Sequence, residues 1–330
     1  MMDLITERPR ILIVDDEPAN LKVMREVLSK HYRLSFAKSG DAALALVEKE
    51  PPKLILLDIM MPDMNGFEVC QRLKSNPTTT HIPIIFVTAL SDESDEFKGF
   101  ELGAVDYITK PISPAIVRAR VKTHLSLIQA EQLKLAHVDL VHRLGRAAEY
   151  KDTDTGEHIV RMSKYSKILA LAYGMHEEHA ELLKQAAPMH DIGKIGIPDA
   201  ILLKPGKLTA SEFDYMKEHA QIGAQILENS SSPLLQLAHL LAIEHHEKWD
   251  GSGYPNGLQG KNISIEGRIV AIADVFDALT SKRPYKEPWP IEDALKFLQE
   301  QAGVHFDPEL VHLFTAQIDA IMDIYSTYQN

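Results

Sequence analysis

Short, mostly apolar runs alternate with amphipathic stretches through the first third of the chain. Ile11 to Val14, Arg33 to Ala37, Leu54 to Leu57, Ile84 to Val87 and Val105 to Ile108 are short runs bounded by polar residues, the pattern of strands buried in a parallel sheet. Between them, Leu21 to Leu28, Ala42 to Val47, Phe67 to Leu73 and Phe97 to Leu102 repeat apolar residues at helical spacing. This βαβα succession predicts an α/β doubly wound parallel sheet of five strands. From about Ser113 the pattern becomes one long helix, with a stripe through Val117, Val121, Leu125, Ile128, Gln132 and Leu135. Past residue 140 only helical patterns remain, separated by Lys204-Pro205-Gly206-Lys207, Ser231-Ser232-Pro233 and the glycine-rich stretch Gly251 to Gly260. The expected organisation is therefore an α/β domain at 1–125, a linker helix at 126–145 and an all-α domain at 146–330.

Composition supports two cores: 330 residues, 45% of them hydrophobic, exceed what a single core usually organises. The single Cys70 excludes an internal disulfide and a thiolate-rich metal site. It suits a reducing compartment, so a cytoplasmic location is expected. The apolar runs are too short to span a membrane, and the opening Met-Met-Asp-Leu-Ile-Thr-Glu lacks a signal-peptide core. A net charge of −12 argues against a DNA-binding surface, and an anionic substrate would require local cations. Twelve of the fifteen histidines follow residue 130, which directs the search for metal-ligand spacing to the second half.

In a doubly wound sheet the functional crevice lies at the carboxyl ends of the strands. Asp15 and Asp16 follow the first run, Asp58 the third, Thr88 the fourth, and Lys110 with Pro111 the fifth. Three converging carboxylates repel one another unless a hard cation such as Mg²⁺ binds between them, with Lys110 as a further countercharge. A carboxylate in that setting can attack an incoming phosphoryl group, and Asp58 is the best-placed nucleophile. On these residues the segment from about 9 to 125 resembles the response-regulator receiver family. The resemblance implies that Asp15 and Asp16 hold Mg²⁺ with Asp58, that Thr88 and Lys110 contact the phosphoryl group, and that Tyr107 moves with Thr88 as a switch. It also implies a cis Lys110-Pro111 bond and a sensor histidine kinase as phosphoryl donor.

In the second half His190 and Asp191 adjoin, and neighbours on a helix point about 100° apart, so both can serve one site while facing different ions. His158 lies on an earlier helical stretch, His219 on a later one, His245-His246 on the next and Asp274 on a further apolar segment. Imidazole and carboxylate donors without thiolate suit iron, manganese, cobalt, nickel or zinc, with iron or manganese favoured. Seven such donors exceed what one ion needs, which makes two ions the economical reading. Two neighbouring ions can activate a shared water and clamp a phosphodiester, with Lys194 placed to meet developing negative charge.

Residues 146 to 330 resemble the HD-GYP family of cyclic di-GMP phosphodiesterases. The resemblance rests on His190-Asp191-Ile192-Gly193-Lys194, His245-His246-Glu247 through Gly253-Tyr254-Pro255, Asp274 to Thr280, and Arg283-Pro284-Tyr285-Lys286. It implies that the seven residues are metal ligands, that Asp191 and Lys194 act in catalysis, and that Lys194, Tyr254, Arg283 and Lys286 bind substrate. Some family members hold a third ion through a Glu four residues before the first His; Asp154 occupies that position here.

The expected whole is a phosphorylation-controlled enzyme cleaving cyclic di-GMP to pGpG, to GMP, or to both. The competing readings are a pGpG-preferring phosphodiesterase and a catalytically weak module that senses a nucleotide or binds protein. The Val117 to Leu135 stripe suggests a homodimer through the linker helix, although the same stripe could pack on its own domain.

Overall fold

Five apolar runs form the five parallel strands β1 (Arg10–Val14), β2 (Arg33–Ala37), β3 (Leu54–Asp58), β4 (Ile84–Thr88) and β5 (Asp106–Thr109), in the order β2-β1-β3-β4-β5. The computed structural model describes residues 8–89, 93–151, 156–281 and 287–328. Strand pleating sends alternate side chains to opposite faces, so one continuous apolar run serves two cores. Leu12, Val14, Ile55, Leu57, Ile84 and Phe86 pack on one face, and Ile11, Ile13, Leu54, Leu56, Ile85 and Val87 on the other.

The helices α1 (Pro18–Leu28), α2 (Gly40–Lys49), α3 (Gly66–Ser75) and α4 (Glu93–Glu101) alternate with the strands. Their starts are written locally: Pro18 opens α1, Ser39 caps α2, and Asn65 with Glu68 forms a capping box on α3.

Helix α5 (Pro114–Tyr150) is continuous over 37 residues. Of the two roles open to its apolar stripe, most of the stripe takes the second, packing on its own domain. Val117 and Val121 are fully buried, Leu125 nearly so, and Ile128 packs against the same sheet-face core, so these side chains are spent inside the α/β unit. Leu135 is instead exposed. Helical periodicity identified the apolar face but not its cover.

The chain divides into two compact units, Met1–Lys134 and Leu135–Asn330. After α5 the second comprises α6 (Gly156–Ala172), α7 (Glu177–Ala186), α8 (Asp199–Leu202), α9 (Ala210–Leu227), α10 (Pro233–Glu244), α11 (Ile265–Thr280), α12 (Ile291–Glu300), α13 (Pro308–Ala316) and α14 (Ile318–Thr327). Its core gathers Met162, Tyr165, Leu169, Leu183, Leu241, Ile272, Phe276, Phe306 and Phe314 among others. No described helix is long and apolar enough to cross a membrane.

Candidate metal centre and phosphoacceptor site

At the carboxyl ends of the strands, Asp15, Asp16 and Asp58 each offer an oxygen within 4.8 Å of the others. Lys110 Nζ lies 2.7 Å from Asp58 Oδ2 and 3.1 Å from Asp15 Oδ2. Asn20 Nδ2 and the Glu17 amide donate to Asp15, and the Met60 amide donates to Asp58, which fixes both carboxylates in orientation. Burial raises the Asp58 pKa, the Lys110 hydrogen bond opposes that rise, and Asp15 adds to it. Thr88 is buried at the end of β4, Tyr107 is half-buried on β5 with Arg120 over its ring, and the Lys110-Pro111 bond is cis. Gly66 leaves room for the main chain at Asp58, because a Cβ there would collide with the Asp58 carbonyl oxygen.

The second centre draws its side chains from several helices. His158 sits near the start of α6, His219 inside α9, His245 caps α10 with His246 following, and Asp274 lies in α11. His190 and Asp191 do not occupy an α-helix, contrary to the sequence expectation. Pro188, Gly193 and Gly196 interrupt the helical pattern there, and two short 3₁₀ segments form at Ala187–Met189 and Ile192–Gly196, with His190 and Asp191 at their junction. Gly193 is what lets this junction approach α9, since a Cβ would strike the His219 carbonyl oxygen and the Gly223 amide nitrogen.

Four imidazoles are anchored through Nδ1. His158 Nδ1 lies 2.7 Å from Asp277 Oδ2, and the Nδ1 atoms of His190, His219 and His245 lie 2.9, 2.7 and 2.9 Å from the carbonyl oxygens of Ala187, Met216 and Leu241. Those oxygens only accept, so each Nδ1 carries a proton and the Nε2 edges are presented to one another. His219 Nε2 and His245 Nε2 stand 3.4 Å apart. Two neutral rings so arranged meet lone pair to lone pair, which is no hydrogen bond. Two imidazole nitrogens ligating one tetrahedral ion at about 2.1 Å would stand about 3.4 Å apart.

Asp191 joins two donor groups. Its Oδ1 lies 3.2 Å from His219 Nε2 and 3.5 Å from His245 Nε2, whereas its Oδ2 lies 3.3 Å from His190 Nε2. Asp274 Oδ1 is 3.4 Å from His158 Nε2 and 3.9 Å from His190 Nε2. His190 Nε2 and Asp191 Oδ1 are buried without a hydrogen-bond partner, an expensive state that a shared cation relieves. The donors therefore fit divalent ions on either side of Asp191.

Charge is divided unevenly across the centre. Burial opposes protonation of His190, but Asp191 and Asp274 outweigh it and lift its pKa to about 9. Burial likewise opposes the charged form of His158, and Asp274 and Asp277 overcome it, raising its pKa well above the usual value. His245 and His246 are pushed down, first by burial and then by neighbouring imidazoles. Asp191 stays ionised despite burial because Lys194 and His190 stand beside it, with Lys194 Nζ 2.8 Å from Oδ2.

The tyrosine singled out in the sequence, Tyr254, is half-buried beside the centre, its ring 4.7 Å from that of His246. Glu247 shapes the loop that carries it by accepting the amide protons of Asn256 and Leu258. Trp249 has the Arg268 guanidinium over its ring, 5.8 Å from the ring centroid. Asp154, Arg283 and Lys286 lie outside the described residues. His239, given no role from sequence, faces the carbonyl oxygen of Ala224.

Three residues escaped the sequence reading as site components. Asp277, fully buried, holds His158 and receives Arg161 Nε at 2.7 Å. Glu247 was quoted only as part of a motif. Glu149, in the last turn of α5, brings a carboxylate to His158 and His190. In sequence it reads as one more acidic residue on a charged helix, and only its register with buried Val141, Gly145 and Ala148 hints at an inward face.

Comparison with known proteins agrees with this two-part architecture. The response regulator receiver domain matches residues 11–122, and the HD domain matches residues 132–310. The "probable cyclic di-GMP phosphodiesterase" of Vibrio cholerae is 42% identical over 95% of this chain and 79% of its own length. The "cyclic di-GMP phosphodiesterase response regulator RpfG" of Xanthomonas campestris is 41% identical over 96% of this chain and 90% of its own. The chain belongs to the HD-domain response regulators of this phosphodiesterase family. Another Vibrio cholerae relative, the "3'3'-cGAMP-specific phosphodiesterase 2", is 50% identical over 56% of this chain and 36% of its own length. The HD domains of this family are metal-dependent, which accords with the donor clusters found here.

Proposed function

We propose that the protein hydrolyses cyclic di-GMP at two divalent ions, iron or manganese, held on one side by His158, His190 and Asp274 and on the other by His219, His245 and His246, with Asp191 shared. Phosphorylation of Asp58 by a sensor histidine kinase regulates the reaction. The observation that carries the reading is Asp191, whose two oxygens face two separate groups of imidazoles. Ions bound there would supply an activated water and neutralise charge on the phosphodiester.

The protein's own groups do the rest. The Nδ1 anchors of His158, His190, His219 and His245 keep Nε2 directed inward, so none of these four rings has to reorient when an ion binds. Lys194 compensates charge at Asp191 and is positioned to meet a phosphate oxygen, with Arg283 and Lys286 as further phosphate contacts. Tyr254 offers a ring face for a purine. Water oxygen bonds to phosphorus, one P–O bond to a sugar oxygen breaks, and that oxygen takes up a proton, giving linear pGpG; the same step on the second linkage gives GMP. A third ion would require Asp154.

Turnover of cyclic di-GMP by manganese-loaded protein tests this. His190→Ala and Asp191→Ala should each lower it at least about a hundredfold. Unchanged turnover in either removes the site assignment, and faster turnover of pGpG reassigns the preferred substrate. The 50% identity to the cGAMP-specific relative favours a second reading, a mixed guanine–adenine cyclic dinucleotide, which the same assay resolves by comparing kcat/KM. A beryllofluoride-treated sample should differ in rate from an untreated one; equal rates, with Asp58→Ala as control, would sink regulation through Asp58.

A further inference from the structure

We propose that Glu149 is itself a metal ligand, completing the donor set of the ion held by His158, His190 and Asp274. The inference rests on the two-ion reading above and assigns that centre an eighth protein ligand.

Glu149 is 2% exposed, and its Oε2 has no hydrogen-bond partner. Its Oε1 stands 3.6 Å from His158 Nε2, too long for a hydrogen bond but suited to two ligands of one ion. One oxygen of Glu149 and one nitrogen each of His158 and His190 lie within 4.8 Å of one another. A carboxylate this deeply buried is costly to keep charged, and among the described residues its ion-pair partner is the His158 imidazole at 3.6 Å.

The backbone holds the side chain in place deliberately. One turn before Glu149, Gly145 brings α5 so near Pro188 that a Cβ would strike the Pro188 carbonyl oxygen. Two residues after it, Lys151 Nζ donates to the carbonyl oxygens of Ile197 at 2.6 Å and Ile195 at 3.0 Å. The end of α5 is thus fastened on both sides to the segment that carries His190 and Asp191.

The consequence is chemical asymmetry. One ion would see three carboxylates, Asp191, Asp274 and Glu149, with two imidazoles; the other would see Asp191 with His219, His245 and His246. The oxygen-rich side favours the harder cation.

The test is Mn²⁺ binding to the anaerobic full-length apoprotein, with free Mn²⁺ read by electron paramagnetic resonance. The Asp58→Ala protein, in which the receiver cluster loses its central carboxylate, is the reference and should bind two Mn²⁺ per chain in the second unit. Glu149→Gln, equal in shape but uncharged, should keep one tight site and weaken the other at least about tenfold. Glu149→Asp, which keeps the charge but retracts it, should weaken the same site, as a merely electrostatic role would not. Two sites of unchanged affinity in both variants overturn the proposal while leaving the two-ion reading intact. Fewer than two ions on the second unit of the reference protein overturn both.

Discussion

A single carboxylate shows how strongly local cations act when a side chain is partly shielded. Glu181 on α7 receives Lys167 Nζ at 2.7 Å, Lys184 Nζ at 2.6 Å and Gln185 Nε2 at 3.2 Å. Burial alone would raise its pKa, but these donors prevail and bring it from 4.5 to about 2. Between those values the unfolded chain takes up a proton that the folded chain refuses, so acidification favours unfolding there. The stabilisation is complete above pH 4.5 and gone below about 2. With a third of the side chain exposed, screening limits it to about 1 kcal/mol. Urea melts should therefore show Glu181→Gln less stable than wild type by that amount at pH 7, with the gap closing towards pH 2. A gap that persists at pH 2 would mean packing, not charge, is responsible.

Among the elements, the 3₁₀ junction around His190 positions two side chains of the candidate metal centre, His190 and Asp191. Gly193→Ala should push the Ile192–Gly196 segment away from α9, because a methyl group there meets main-chain atoms of His219 and Gly223 that cannot rotate aside. Overpacking of this kind costs about 2–3 kcal/mol, or a fall in melting temperature of about 5–10 °C for a unit this size. Calorimetry gives the shift, and Mn²⁺ titration should show weakened binding at the same time, since Asp191 and His219 would separate. Stability and binding both unchanged would disprove the tight packing.

The same elements mark what the sequence made legible. Strands β1, β3 and β4 could be read because burial on both faces leaves an uninterrupted apolar run. The convergence of His158, His190, Asp191, His219, His245, His246 and Asp274 could be anticipated because metal chemistry restricts residue type. The 3₁₀ segments could not, since Pro188 and the glycines erase periodicity without declaring what replaces it. Glu149 was hidden for a different reason: a carboxylate becomes distinctive only when the fold removes its water. The Val117 to Ile128 stripe was legible as apolar, but its cover, the α/β unit's own sheet, is a tertiary fact.

For the whole molecule, two separate cores imply two separable stabilities. One belongs to Met1–Lys134, with its apolar layers on either face of the sheet, and the other to Leu135–Asn330, with the single cluster around Tyr165 and Phe276. Along α5, every residue from Leu133 to His137 is exposed, so that stretch contributes little apolar burial to bind the two transitions together. Ions bound to native histidine and carboxylate donors stabilise only the unit that holds them, by about 2.7 kcal/mol at a hundredfold excess over the dissociation constant. Scanning calorimetry of metal-loaded protein should resolve two transitions. A transition-metal chelator that leaves Mg²⁺ free should lower only the one assigned to Leu135–Asn330, by about 5–10 °C. On the proposal that Mg²⁺ binds the Asp15, Asp16 and Asp58 cluster, removing Mg²⁺ should instead lower the other, and Asp58→Ala should abolish that second response while leaving the first. Transitions that shift together under either treatment would show that α5 couples the two cores more tightly than its exposed middle suggests.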